Sequence, residues 1–155
     1  MLLAGRKIAN NGHEEGRLLL KELYKQYISA PMPNILYTEK GKPYFETGDV
    51  HFSITHTKRH VFCALSHKPI GIDAEEIDRK IDLRLAEKIL SENELAQFEK
   101  AENKTLALLT FWVLKEAAAK CTGSGLNGYP VNTDFSLDDP AVCLQDGCLL
   151  AIMEA

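Results

Sequence analysis

Two short segments constrain this chain more than any other part of it. Residues 71–75 read Gly-Ile-Asp-Ala-Glu and follow an apolar run, which predicts a strand. Residues 112–120 read Trp-Val-Leu-Lys-Glu-Ala-Ala-Ala-Lys, a composition typical of a helix. Because side chains two apart share one face of a strand, Asp73 and Glu75 present two carboxylates on the same side.

The helical segment carries Trp112, Glu116 and Lys120 at four-residue spacing, so these side chains form one ridge. If the helix crosses the strand, Glu116 joins Asp73 and Glu75, and Lys120 lies one turn beyond. Three carboxylates in one place repel each other unless a cation lies among them. A hard divalent ion that keeps waters and binds phosphate oxygens suits this donor set best, which predicts Mg²⁺.

The two segments together resemble the signature of the 4′-phosphopantetheinyl transferases, G-I-D-x-E followed by W-x-x-K-E-A-x-x-K. Three further matches occur in the family's order: an arginine, Arg17, that opens an apolar helix, a Gly-Lys-Pro turn at residues 41–43, and Phe-Ser-Ile-Thr-His-Thr at residues 52–57. The resemblance covers residues 17–126 and is to the larger, surfactin-synthetase type, shortened at both ends. Thr55 replaces the serine that the family has before its histidine.

These transferases move the phosphopantetheine arm of coenzyme A onto a serine of an acyl or peptidyl carrier protein and release 3′,5′-ADP. The resemblance implies that Asp73, Glu75 and Glu116 hold Mg²⁺ beside the pyrophosphate of coenzyme A. Glu116 is then the candidate general base for the serine, directly or through a water on the metal. Lys120 is expected to contact the phosphates as a point charge.

The resemblance also implies where the rest of coenzyme A binds. Arg17 and a protonated His56 are expected to grip the 3′-phosphate, with the hydroxyl of Thr55 as a further donor. Lys42 and Pro43 are expected to flank the adenine, as the family's turn does.

Two features of the chain depart from the family. Relatives carry basic residues for the 3′-phosphate near their N-termini, and here only Arg6 and Lys7 could replace them. The C-terminal part contains a single hairpin, where larger members continue. Self-association is one way in which sheet edges lost at these ends could be covered.

Patterning predicts an α+β chain. A helix is expected at residues 13–28, strands at 35–39, 51–55, 60–66 and 70–75, a capped helix at 91–101, a second at 103–121 ending at Gly123, and an Asp-Gly hairpin at 143–150. The resemblance implies a pseudo-twofold fold in which one domain, residues 1–155, consists of two similar halves, about 1–80 and 81–155. The active site would then lie between the halves.

Composition excludes several other classes of protein. The net charge of −4 provides no general attraction to nucleic acid. No apolar run approaches the roughly 20 residues that span a bilayer, and the apolar stretch at the start is too short for a secretion signal. A cytoplasmic protein is expected. The four cysteines lack metal-binding spacing, so we expect reduced thiols, most of them buried.

Alternative functions remain open at this level. A degenerate homologue would bind coenzyme A or a carrier protein without catalysis. An unrelated Mg²⁺-dependent phosphodiester enzyme would also use acidic residues and a lysine.

Plainer roles also remain open for individual residues. Glu116 and Lys120 could form an ordinary surface pair. Trp112 is expected to pack rather than to bind ligand, and Glu76 and Asp78 are expected to be solvated. Lys115 either orients the site or lies exposed.

Overall fold

A computed structural model describes residues 1–124 and 133–155. Runs of antiparallel strands and runs of helices follow one another along the chain, which confirms the α+β prediction. The helices are α1 (Gly12–Ile28), α2 (Ala86–Ile89), α3 (Glu92–Lys100) and α4 (Lys104–Thr122), with a 3₁₀ turn at Leu83–Leu85. The strands are β1 (Leu2–Lys7), β2 (Ile35–Tyr37), β3 (Pro43–Phe45), β4 (His51–His56), β5 (His60–Ser66), β6 (Ile70–Glu76), β7 (Val142–Gln145) and β8 (Cys148–Glu154).

Helix α1 begins where its sequence provides a cap. The side chain of Asn11 accepts hydrogen bonds from the backbone N–H groups of His13 and Glu14, and the helix ends at Ser29 in the left-handed conformation. The apolar face of the helix is buried against the first sheet. It comprises Leu19, Leu20, Leu23 and Tyr24. The predicted helix is therefore confirmed, and it begins one residue earlier than expected.

The first sheet has the order β1-β5-β4, with antiparallel pairing throughout. Its central strand β5 is buried along its whole length, with Val61 and Cys63 packed toward α1 and Phe62 and Ala64 packed toward the second sheet. Strand β1 was not predicted, and the short strand β3, which pairs with β2, was expected to be part of a turn.

The second sheet has the order β6-β8-β7, and α4 packs across it. Strands β7 and β8 meet at the predicted Asp-Gly turn, where Asp146 (φ 52°) and Gly147 (φ 75°) both have positive φ. Two consecutive residues with positive φ define the tight turn that suits the twist of a hairpin.

Side-chain hydroxyls join the two sheets. The backbone N–H of Ile72 donates to Ser53 Oγ (3.0 Å), and the N–H of Ala74 donates to Thr55 Oγ1 (3.3 Å). These bonds satisfy backbone N–H groups on the edge of β6 that faces away from β8. The strand that carries Asp73 is therefore fixed on both edges, by main chain on one side and by hydroxyls of β4 on the other.

Caps at both ends define where α4 begins and ends. The side chain of Asn103 accepts from Leu106 N, and Gly123 ends the helix with a φ of 72°. Helix α3 opens with the predicted capping box between Ser91 and Glu94. These helix predictions are confirmed.

A buried ion pair ties α3 to α4. Lys115 and Glu94 are 1% and 0% exposed, and Lys115 Nζ lies 2.8 Å from Glu94 Oε2. Glu94 Oε1 also accepts the N–H of Phe135. Lys115 is therefore a buried structural residue rather than an exposed one.

The cysteines are free, and Cys63, Cys121 and Cys148 are buried, as expected for most of them. Cys143, on the edge strand β7, is exposed. Within residues 1–124 and 133–155, the structure contains no helix of sufficient length and apolar character to cross a membrane.

Candidate active site

Helix α4 lies directly against β6 because Gly71 has no side chain. A Cβ atom at Gly71 would lie 2.1 Å from the carbonyl oxygen of Ala117 and 2.2 Å from the backbone nitrogen of Cys121. Only glycine allows backbones to approach this closely. Since Asp73 and Glu75 lie two and four residues further along the same face of β6, both carboxylates face α4.

Asp73 of β6 forms an ion pair with Lys120 of α4. It is 6% exposed, and its Oδ1 accepts from Lys120 Nζ at 2.6 Å and from Thr55 Oγ1 at 3.1 Å. Lys120 is the last residue of the predicted ridge, and Glu116, one turn before it, is buried at 8% exposure. Asp73 and Lys120 are therefore in direct contact, although Lys120 was expected one turn beyond the carboxylates.

The raised pKa of Glu75 reflects the burial of its carboxyl and the negative charges near it. The pKa of its carboxyl is raised to about 7, chiefly by burial and also by the carboxylates of Asp73 and Glu116, while Arg79 and Lys120 act to lower it. Glu75 forms an ion pair with Arg79. Asp73 and Glu116 thus both lie within electrostatic range of Glu75.

The donor set suits a hard cation, but no complete metal geometry is present. Across the described residues, no group of three or more His, Cys, Asp or Glu side chains gathers at metal-binding spacing. Lys120 and Arg79 hold Asp73 and Glu75 instead. The carboxylate chemistry and the raised pKa of Glu75 both favour an added cation, which would have to displace these ion pairs.

Two adjoining cavities bring the predicted residues together. A cavity of about 460 Å³ is lined by Arg17, Pro43, Thr55, His56, Asp73, Glu75 and Lys120, among others. A second, of about 270 Å³, is lined by Lys42, Pro43, Glu116 and Lys120, among others. Pro43 and Lys120 line both, so every predicted site residue borders one of two neighbouring cavities. A cleft of this kind suits an extended ligand.

The basic residues predicted to bind phosphate have structural partners as well. The guanidinium of Arg17 donates to the hydroxyl of Tyr37, and the ring of His56 packs edge-on against His13 with centroids 4.8 Å apart. Sequence reasoning missed both Tyr37 and His13, although His13 lies one helical turn before Arg17.

Lys42 ties the β2–β3 turn to the end of α4. Its ammonium donates to the carbonyl oxygen of Cys121, and burial lowers its pKa. A cation at the C-terminal end of a helix is favoured by the helix dipole. Lys42 and Pro43 border the second cavity, so their predicted role beside the adenine stays a prediction.

The prediction that Glu76 is solvated is wrong. Glu76 is 8% exposed and accepts hydrogen bonds from Thr57 Oγ1 and from the backbone N–H of Arg59, both at 2.9 Å. Arg59 also pairs with Asp78, which is exposed as expected.

Other side chains have partners that the sequence did not suggest. Arg6 pairs with Glu15 and Glu22 of α1, so these carboxylates compete with its expected role in phosphate binding. Trp112 packs against the core beneath α4, with the guanidinium of Arg79 5.8 Å from its ring centroid.

Comparison with known proteins identifies the family. The model of the 4′-phosphopantetheinyl transferase superfamily matches residues 69–146, which contain both segments of the site. The chain is 37% identical over 122 residues to the 4′-phosphopantetheinyl transferase gsp of Aneurinibacillus migulanus, covering 76% of this chain and 50% of the relative.

Two further relatives agree. The chain is 32% identical over 117 residues to the 4′-phosphopantetheinyl transferase psf-1 of Bacillus pumilus, covering 72% of this chain and 50% of the relative. It is 30% identical over 117 residues to the 4′-phosphopantetheinyl transferase Sfp of Bacillus subtilis (strain 168), covering 72% of this chain and 52% of the relative.

The chain belongs to the 4′-phosphopantetheinyl transferase superfamily, and within it to the surfactin-synthetase type. It spans about half the length of the curated relatives it matches. The end of the resemblance at Leu126 lies outside the described residues.

Proposed function

We propose that the chain transfers the 4′-phosphopantetheine arm of coenzyme A to a serine of an apo acyl or peptidyl carrier protein and releases 3′,5′-ADP. The observation that carries this proposal is the meeting of Asp73, Glu75, Glu116 and Lys120 where α4 crosses β6. The relatives that match this chain are named 4′-phosphopantetheinyl transferases.

The chemistry follows from the residue types. The serine oxygen attacks the phosphorus that carries pantetheine, its bond to 3′,5′-ADP breaks, and the serine proton passes to Glu116 as general base. Lys120 offsets charge on the phosphates. Asp73, Glu75 and Glu116 would hold Mg²⁺, which supplies further neutralisation of the pyrophosphate.

The remaining part of coenzyme A is assigned to the two cavities. Arg17, His56 and Thr55 would bind the 3′-phosphate in the larger one. Lys42 and Pro43 would flank the adenine in the smaller one. Since Thr55 already donates to Asp73, its contribution to a phosphate requires its hydroxyl to change partner.

We also infer the pseudo-twofold organisation of the family, with halves at about residues 1–80 and 81–155. In support, a long helix packs on each three-stranded antiparallel sheet, α1 on the first and α4 on the second, with β6 of the second sheet contributed by residues 1–80. The site would lie where β4, β6 and α4 meet.

One observation favours a second candidate, a homologue that binds coenzyme A or a carrier protein without transfer. Asp73 and Glu75 are each paired with a cation, Lys120 and Arg79, so the acidic cluster is partly neutralised without a metal. In this alternative the ion pairs persist when coenzyme A binds.

The test combines the chain with an apo carrier protein, coenzyme A and Mg²⁺. Transfer predicts a phosphopantetheine adduct on the carrier by mass spectrometry, and its loss with EDTA or with a carrier whose acceptor serine is changed to alanine. Glu116→Gln should abolish transfer but keep coenzyme A binding within about tenfold, because the loss falls on the transition state. Coenzyme A binding by calorimetry with no adduct on any carrier would favour the binding-only homologue.

A further inference from the structure

Two sets of side chains, one acidic and one basic, line the cavity of about 460 Å³. Asp73 and Glu75 form the acidic set beside α4. His13, Arg17 and His56 form a basic set, contributed by α1 and the end of β4. Asp73, Glu75, Arg17 and His56 were matched to family motifs and belong to the proposed transfer site. His13 belongs to none of the sequence motifs.

His13 is an exposed residue with two contacts near the cavity. Its backbone N–H donates to Asn11 Oδ1 at 2.9 Å, and its ring meets the ring of His56 at an interplanar angle of 75°. The neighbouring Gly12 makes room for this contact, because a Cβ atom there would lie 2.8 Å from ring atoms of His56. The first turn of α1 is thus shaped around the two imidazoles.

Arg17 completes the basic set from the next turn of the same helix face. Its guanidinium donates to Tyr37, which lines the same cavity. Imidazole and guanidinium groups that converge from two elements provide several N–H donors for one dianionic phosphate.

Coenzyme A carries two kinds of phosphate, and the cavity can separate them by charge. The pyrophosphate contains the bond that breaks, so it must lie with the acidic set, the proposed metal site and Lys120. The phosphate left for the basic set is the 3′-phosphate monoester of the ribose.

We propose that His13 is a specificity-determining residue that binds the 3′-phosphate of coenzyme A together with Arg17 and His56. The proposal rests on the proposed function and adds a contact from the first turn of α1. The ring of His13 donates one N–H when neutral and two when charged. Dephospho-coenzyme A has a hydroxyl in place of the 3′-phosphate that would accept these hydrogen bonds. His13 therefore discriminates between these two ligands.

Calorimetric titration with coenzyme A and with dephospho-coenzyme A tests this, using the wild type, His13→Ala and Lys25→Ala. Lys25 is the matched control, since it is an exposed cation on α1 three turns beyond His13. We expect His13→Ala to bind coenzyme A about tenfold more weakly and dephospho-coenzyme A as the wild type does. Lys25→Ala should bind both ligands like the wild type, and thermal unfolding shows that each variant is folded.

Two results would overturn the assignment. One is an unchanged affinity of His13→Ala for coenzyme A, and the other is an equal loss for both ligands. Either result leaves the proposed transfer function intact. A wild-type chain that binds neither ligand would instead refute the proposed function and the role of His13 together.

Discussion

Gly71 of β6 and Ala117 of α4 approach so closely that a Cβ atom on Gly71 would lie 2.1 Å from the Ala117 carbonyl oxygen. This contact sets the distance between the strand that carries Asp73 and Glu75 and the helix that carries Glu116 and Lys120. The glycine of the G-I-D-x-E motif therefore acts through packing, while the acids of the same motif act through charge.

Gly71→Ala should destabilise the fold. The new methyl group would collide with backbone atoms, which cannot move aside as a flexible side chain can, and overpacking of this kind costs about 3 kcal/mol in free energy of unfolding. Urea unfolding measures the loss. Gly41→Ala is the control, because a Cβ atom there meets open space and only its φ of 82° is unfavourable, at a cost of about 1 kcal/mol. Equal losses for the two variants would contradict the packing argument.

Lys115→Met should also be strongly destabilising, since it leaves the buried carboxylate of Glu94 without its cation. Removing one partner of a buried pair costs about 3–5 kcal/mol, and replacing both charges costs less. The double variant Lys115→Met, Glu94→Gln should therefore recover part of the loss in urea unfolding. Arg84→Met, which breaks the exposed pair with Asp82, should leave stability unchanged. A mild effect of Lys115→Met alone would show that the pair contributes little.

Stability without metal should fall as the pH rises toward 7. The pKa of Glu75 is raised from 4.5 to about 7 by burial and by its acidic neighbours, so the folded state binds this proton more tightly than the unfolded state does. The advantage is fully present below pH 4.5 and is lost by about pH 7. In urea unfolding with EDTA, the wild type should lose stability relative to Glu75→Gln between pH 5 and pH 8. Parallel pH profiles would mean that Glu75 titrates normally.

The hydroxyl of Thr55 should matter for stability as well as for binding. It donates to Asp73 and accepts from the backbone N–H of Ala74, so Thr55→Val leaves that buried N–H without its acceptor and leaves Asp73 Oδ1 with Lys120 alone, at a cost of about 2 kcal/mol. Thr55→Ser keeps the hydroxyl and should lose much less. Thermal unfolding of the two variants compares them. A serine variant as unstable as the valine variant would assign the effect to the methyl group.

Lys120→Ala should impair coenzyme A binding and turnover together, because its ammonium is proposed to contact phosphate in both the bound and the transition state. We expect about tenfold weaker binding and a larger loss of kcat/KM. Calorimetry and the carrier-modification assay provide the two values. Lys100→Ala, an exposed lysine at the end of α3, should change neither. Normal binding with slow turnover would limit Lys120 to the chemical step.

The sequence predicted the elements that local chemistry specifies. Helices α1, α3 and α4 carry apolar periodicity and caps such as Ser91, Asn103 and Gly123, and the Asp146–Gly147 turn specifies its hairpin. Strand β1 was missed because its residues become a strand only by pairing with β5, far along the chain.

The sequence indicated which residues could form the candidate site. It did not indicate most of the side chains that contact them. The motifs named Asp73, Glu75, Glu116 and Lys120, which the fold brings together. Glu76 was misjudged because the groups that bury it, Thr57 and Arg59, come from another part of the chain. Contacts between distant segments leave no local pattern, and so sequence reasoning does not find them.

The hydrogen bonds that backbone N–H groups of β6 donate to the hydroxyls of Ser53 and Thr55 make this strand dependent on β4, which precedes it along the chain. A recombinant fragment starting at Pro69, where the family match begins, would open one edge of β6 to water and strip the apolar cover that Phe62 provides. The segment by which the family is recognised is therefore not one that should be produced in isolation, and chimeras with relatives should place their junctions elsewhere.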